Sequence, residues 1–174
     1  MLLAVILCTS RHLHDVPGDG NCLFSAVALA IALTDNVPAQ ARARSVRNMA
    51  ARLRIQALDV LCPSGLPDPD LILGGLPVRL LIEPLDDEGE AGYCRRLRRD
   101  GEWGSTAEVL ALTHVLGRSI HVHTDFGIEE YGDERHDSAA SDQLVPIAVH
   151  YDGASRHYQA LTGSSKTPSP KGEL

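Results

Sequence analysis

Apolar and polar positions fall into blocks along the chain, and the period of the blocks changes from helical to alternating part-way through. Residues 2–7 are a short continuous apolar run that reads as a buried strand, followed by a polar loop through His12, His14 and Asp15. Pro17-Gly18-Asp19-Gly20-Asn21 is a dense turn signal. Residues 22–33 are then almost uninterruptedly apolar and alanine-rich, long enough for a helix buried on most sides. A break at 35–38 opens a second helix over residues 38–60, with Pro38 in its first turn. Its arginines at 42, 44, 47, 52 and 54 lie around the apolar positions Val46, Met49, Leu53 and Ala57. Recurrent Pro and Gly over 62–84 predict short helical turns and loops. Residues 86–90 form an acidic surface stretch, and 93–99 a short helix with a basic face.

Ser105-Thr106-Ala107-Glu108 is a capping box, predicting a helix to Leu116 with Val109, Leu112 and Leu116 on one face and Gly117 closing it. Residues 119–124 alternate as a strand, 127–131 continue as its neighbour, and 132–142 read as a loop. Residues 145–151 and 157–162 predict a strand pair joined by 152–156. Helices first and strands late indicate an α+β domain over 1–162, and the Ser/Pro/Gly/Lys-rich 163–174 reads as a disordered tail.

Composition narrows the chemistry. Sixteen Lys+Arg against 23 Asp+Glu leave a net charge of −7, which disfavours binding to nucleic acid. The longest apolar run, residues 2–8, is too short to cross a bilayer and lacks the basic flank of a signal peptide, so no membrane partner is expected. Cys8, Cys22, Cys62 and Cys94 show no close pairing, which argues against zinc knuckles and CxxC redox sites. Reduced thiols in a cytoplasmic setting are the expectation, with no metal, no cofactor and a monomeric chain. Both lysines, Lys166 and Lys171, lie in the tail, a pattern that the codon bias of a GC-rich genome would produce, as would selection against acceptor amines on the domain.

Cys22 stands directly after the turn, at the start of the buried helix. A helix N-terminus presents unpaired N–H groups and partial positive charge, which stabilise a thiolate and can hold a developing oxyanion. The competing reading is a buried structural cysteine. A thiol nucleophile also needs a base, and eight histidines compete. His121 and His123 share a strand face without a third metal ligand at suitable spacing, His114 lies on the capped helix, and His12, His14 and His136 sit in loops. His157 leads the field, narrowly ahead of His150, because it begins a rigid strand.

The run Asp19-Gly20-Asn21-Cys22-Leu23-Phe24 resembles the nucleophile motif of the ovarian tumour (OTU) family of cysteine proteases. Gly101-Glu102-Trp103-Gly104 with Glu108 is similar to that family's Trp-Gly block, and Ile147-Ala148-Val149 followed by His157-Tyr158 to its terminal strand and His-aromatic pair. The resemblance implies a papain-type fold, a small central β-sheet flanked by helices. It implies Cys22 as nucleophile, His157 as base, Asp19 as the residue shaping the oxyanion loop, and Trp103 as a packing residue between capped helix and sheet. It further implies a deubiquitinase cutting isopeptide or peptide bonds after the C-terminal glycine of ubiquitin or a ubiquitin-like protein, with ubiquitinated proteins as partners. A viral polyprotein-processing protease and a non-catalytic ubiquitin-binding module are the alternatives; a viral or bacterial source would put the chain in host cytosol. Papain's own cysteine signature and a transglutaminase pattern are both absent.

The chain departs from the family where relatives carry Asp or Asn two residues after the histidine, because Gln159 stands there. Either Gln159 orients the imidazole, an acid such as Asp15 or Asp152 does, or the site works as a dyad. Arginines upstream of the substrate's terminal glycines would be met by carboxylates, for which residues 86–90, Glu129-Glu130 and Asp133-Glu134 are candidates.

Overall fold

Helix α1 (Cys22–Thr34) has almost no polar face, and its surroundings match: Leu23, Phe24, Val27 and Ala28 are fully enclosed. It lies against both the sheet and helix α2 (Ala39–Leu61), which in turn packs on α5 (Thr106–Leu116). The computed structural model describes residues 11–132 and 145–163. The strand expected at 2–7, Cys8, His136, the acidic pair Asp133-Glu134, most of the expected loop at 132–142 and the tail from 164 lie outside the described residues.

The central sheet is mixed. It runs in the order β1 (His12–His14), β7 (His157–Thr162), β6 (Ile147–Asp152), β4 (Ile120–Thr124), β5 (Gly127–Tyr131). Only β4 and β6 are parallel, and their register sets Ile120 opposite Ile147 and Val122 opposite Val149. Val149 faces Ala160 on β7, so one apolar stripe crosses three strands and meets α1. Between α2 and α5 come a two-residue hairpin, β2 (Ile72–Leu73) with β3 (Leu76–Pro77), then α3 (Val78–Leu81) and α4 (Gly89–Leu97). The α+β class and both late hairpins agree with the sequence reading.

The capping box is also as expected: Glu108 Oε2 accepts the Ser105 N–H at 2.7 Å, and Gly117 ends α5 in the left-handed region. The other oxygen of Glu108 accepts the Tyr93 hydroxyl, tying α5 to α4 in the core. Burial pushes the Glu108 carboxyl up, and burial beside Glu108 pushes the Tyr93 phenol up.

Two expectations need correction. The segment read as a polar loop contains β1, which pairs antiparallel with β7 through His12, Leu13 and His14. An edge strand with both His12 and Leu13 exposed needs no apolar alternation, so nothing in its pattern distinguishes it from a loop. Cysteines expected to be reduced include a pair, Cys62 and Cys94, that forms a disulfide joining the C-terminal cap of α2 to α4. The two are 32 residues apart and meet only because the helices do. Replacing both by serine is expected to lower unfolding stability by about 2–4 kcal/mol. Denaturant titration of oxidised wild type against the double variant measures it, and equal midpoints would show that the bridge does not constrain the unfolded chain.

Candidate active site

Cys22 is the free cysteine of the described residues, buried at the first position of α1. No side chain caps this helix, and its first backbone bond runs from the Ser25 N–H to Asn21 O at 2.9 Å. The N–H groups of Cys22, Leu23 and Phe24 therefore precede the first intrahelical donor, which is the anion-stabilising arrangement expected from the sequence.

Asn21 would ordinarily cap such a helix, but its side chain is engaged elsewhere. Its Oδ1 accepts from Arg54 Nη2 at 2.8 Å and from the Gly101 N–H at 3.2 Å. Its own N–H donates to Asp19 Oδ1 at 3.0 Å, so Asp19 shapes the loop through a local turn. Gly20 sits at φ +81°, where a Cβ would lie 1.7 Å from Gly101 O. Only glycine allows the 18–21 loop to rest on the 101–102 segment this closely.

His157 begins β7, with its Nε2 3.0 Å from Asp15 Oδ1. An ionised carboxylate only accepts, so the neutral imidazole facing it carries its proton on Nε2 and its lone pair on Nδ1. That second nitrogen borders the loop that precedes Cys22: a Cβ at Gly18 would lie 3.8 Å from it. Asp15 reaches the imidazole because β1 is a strand. His14 pairs with Ala160, so the continued register sets Asp15 opposite Gln159, two residues along β7 from His157 and on the same strand face.

Gln159 lies on the same strand and donates to Asp15 Oδ1 at 3.4 Å, supporting the acid that orients the imidazole. Asp152 faces His157 across the hairpin, yet its carboxylate accepts from the Ala154 N–H at 2.9 Å and the Ser155 hydroxyl at 2.6 Å. It closes the turn. His150 stands in register with His123 and Gln159, and its buried Nδ1 has no hydrogen-bond partner among the described residues.

Trp103 is 52% exposed, which corrects the expectation that it packs α5 onto the sheet. Tyr93 and Glu108 hold that helix instead, and Gly104 lets α1 approach, since a Cβ there would meet Leu23 Cδ2 at 2.8 Å. Of the acidic candidates, Glu88 is bound to Arg96 at 2.7 Å and the Tyr131 hydroxyl donates to Glu129. Asp86, Asp87, Glu90 and Glu130 are exposed.

The sequence pattern does not separate Arg54 from the other four arginines of α2, yet it is 4% exposed. It shares its face with the buried Ala50, Leu53, Ala57, Leu58 and Leu61. That i, i+3, i+4 spacing was the available signal: a charged residue on the apolar stripe must have partners.

The family model for OTU-like cysteine proteases matches residues 17–158, and the chain belongs to this family. It is 28% identical over 173 residues to the OVARIAN TUMOR DOMAIN-containing deubiquitinating enzyme 4 of Arabidopsis thaliana, covering 95% of this chain and 48% of that protein. It is 27% identical over 113 residues to ubiquitin thioesterase otu2 of Schizosaccharomyces pombe, covering 65% and 32% respectively. The chain thus spans about half the length of the first relative and a third of the second. A solved OTU domain in complex with ubiquitin aligns with a TM-score of 0.57 at 18% identity, over 90% of this chain and 72% of that one. That likeness shows the fold.

The Asp15 carboxyl is held below the usual carboxylate range, chiefly by the hydrogen bond from His157. A depressed folded-state pKa contributes stability above the ordinary value and loses it as pH falls through the folded one. The Asp15–His157 pair is accordingly expected to persist down to the lower edge of the carboxylate range. In His157→Ala, the Asp15 carboxyl should titrate at higher pH than in wild type, as read by side-chain carboxyl NMR; an unchanged midpoint would show that the pair does not form.

Proposed function

We propose that this chain is a thiol-dependent hydrolase of bonds made by the C-terminal glycine of ubiquitin or a ubiquitin-like protein. The observation that carries the reading is the Asp15-held imidazole of His157, bordering the loop that ends in the free thiol of Cys22. Family membership supports the chemistry. The names of the two relatives, a deubiquitinating enzyme and a ubiquitin thioesterase, support the substrate.

In this mechanism His157 Nδ1 takes the thiol proton and Cys22 Sγ attacks the glycine carbonyl carbon. The carbonyl oxygen takes up the electron pair, and first-turn N–H groups of α1 stabilise it. As the tetrahedral intermediate collapses, the imidazolium protonates the leaving amine, and water then attacks the thioester with His157 again as base. Asp15 fixes the tautomer and Gln159 steadies Asp15. Asp19 acts through the turn that aims the loop.

Ubiquitin bearing a C-terminal vinyl electrophile is expected to label wild-type protein at Cys22, and Cys22→Ala is expected to lose both labelling and turnover. Absence of an adduct at neutral pH would leave a non-catalytic ubiquitin-binding module. Asp15→Asn should lower kcat by about tenfold, below the range for a buried triad acid because the Asp15 side chain is 78% exposed. Gln159→Ala should cost about two- to threefold, since its bond to Asp15 is long. Steady-state hydrolysis of a ubiquitin–coumarin substrate ranks the two, and a larger effect at Gln159 would reverse the assigned roles.

A further inference from the structure

Arg54 is the one buried cation among the described residues, and none of its hydrogen bonds goes to a carboxylate. Nη1 donates to Leu97 O at 3.0 Å. Nη2 donates to Gly20 O at 3.1 Å, Asn21 Oδ1 at 2.8 Å and Glu102 O at 2.6 Å. Two of these acceptors belong to the nucleophile loop, and a third to the segment on which that loop rests. The guanidinium carbon also lies 4.4 Å from the ring centre of Phe24, one turn into the nucleophile helix.

The peptide group between Gly20 and Asn21 is consequently gripped at both ends. Arg54 holds its carbonyl oxygen, and Asp19 Oδ1 holds its N–H. Rotation of that peptide would break both bonds and redirect the backbone immediately before Cys22. The neighbouring Asn21 carbonyl starts α1, so the direction of the Cys22 N–H follows from the orientation Arg54 imposes on the loop.

We infer that Arg54 is a positioning residue for the proposed hydrolase, holding the Gly20-Asn21 peptide so that the oxyanion donors at the start of α1 are aligned before substrate arrives. The inference rests on the thiol-hydrolase reading. It separates Arg54 from a packing residue by the step affected. A positioning role puts the loss on tetrahedral-intermediate stabilisation, which depends on the aim of the loop, and a displacement near 1 Å there costs about 100-fold. Lysine keeps the charge but offers three donors on a single nitrogen, and cannot span Leu97 O and the three Nη2 acceptors with a planar fork.

The test compares wild type with Arg54→Lys and Arg54→Met, using hydrolysis of ubiquitin–aminomethylcoumarin, inhibition by ubiquitin aldehyde, and binding of ubiquitin in a Cys22→Ala background. Circular dichroism melts establish that each variant is folded at the assay temperature. The expected result is a fall in kcat of about 100-fold for Arg54→Met and at least about tenfold for Arg54→Lys, with KM within about threefold of wild type. The aldehyde inhibition constant should rise with the loss of kcat, because the hemithioacetal oxygen occupies the oxyanion position, while the ubiquitin Kd stays unchanged. Should both Arg54 variants fail to fold, Asn21→Ala, which removes one acceptor and leaves the cation, is read by the same four measurements. A folded variant with kcat within twofold of wild type overturns the inference, as does a loss of kcat matched by an equal loss of ubiquitin binding. Wild-type protein without turnover removes the proposed function and this inference with it; active wild type with a fully active Arg54→Lys removes only the inference.

Discussion

The buried Arg54 guanidinium joins four stretches of chain that are distant in sequence: the loop before Cys22, α2 itself, the end of α4 and the segment before α5. Placing a charge in a core is unfavourable by several kcal/mol unless hydrogen bonds replace its water. Here the replacement is made by main-chain carbonyls and one side-chain amide. Burial lowers the Arg54 pKa, while Asp100, Glu108, Glu102 and Asp19 act against that shift. Arginine stays charged in such an environment, so the core is organised around a permanent cation.

Its partners are themselves anchored. The Cys62–Cys94 bridge ties α2 to α4 near the Arg54–Leu97 contact, and Arg98 donates to Cys62 O at 2.9 Å and pairs with Asp59 at 2.7 Å. The Tyr93–Glu108 bond ties α4 to α5. Between these two ties runs the 101–104 segment, against which Gly20 and Leu23 pack without room for a side chain on Gly20 or Gly104. The loop before Cys22 is thus positioned by helices, whereas the imidazole is positioned from the sheet.

That division explains the asymmetry of the site. Cys22 is buried and its loop is held in a network of short bonds, but Asp15 is exposed and reaches His157 from the end of a three-residue edge strand. Tyr158, next to His157, meets Tyr151 at a tilt of 43° with 4.7 Å between ring centres, which stiffens the strand that carries the imidazole. Together with Phe24 and Tyr93, these rings account for most of the chain's seven aromatics.

Helices α1, α2 and α5, both late hairpins, and the positions of Cys22 and His157 were legible in the sequence. Each rests on local signals: apolar period, a turn-rich run, a capping box, a six-residue motif. Strand β1, the disulfide, the burial of Arg54 and the exposure of Trp103 were not. An edge strand shows no alternation, a cysteine pair 32 residues apart has no local signature, and one arginine among five on a helix differs only by its angular position. The choice of acid was likewise undecided among Asp15, Asp152 and Gln159. Sequence by itself determined which groups are available for thiol chemistry and the order of the elements bearing them, because those depend on neighbours along the chain. Only tertiary structure decided which acid meets the imidazole and which cation holds the loop, because hydrogen bonds between β1 and β7, and between α2 and the 20–21 turn, join residues whose separation along the chain leaves no pattern to read.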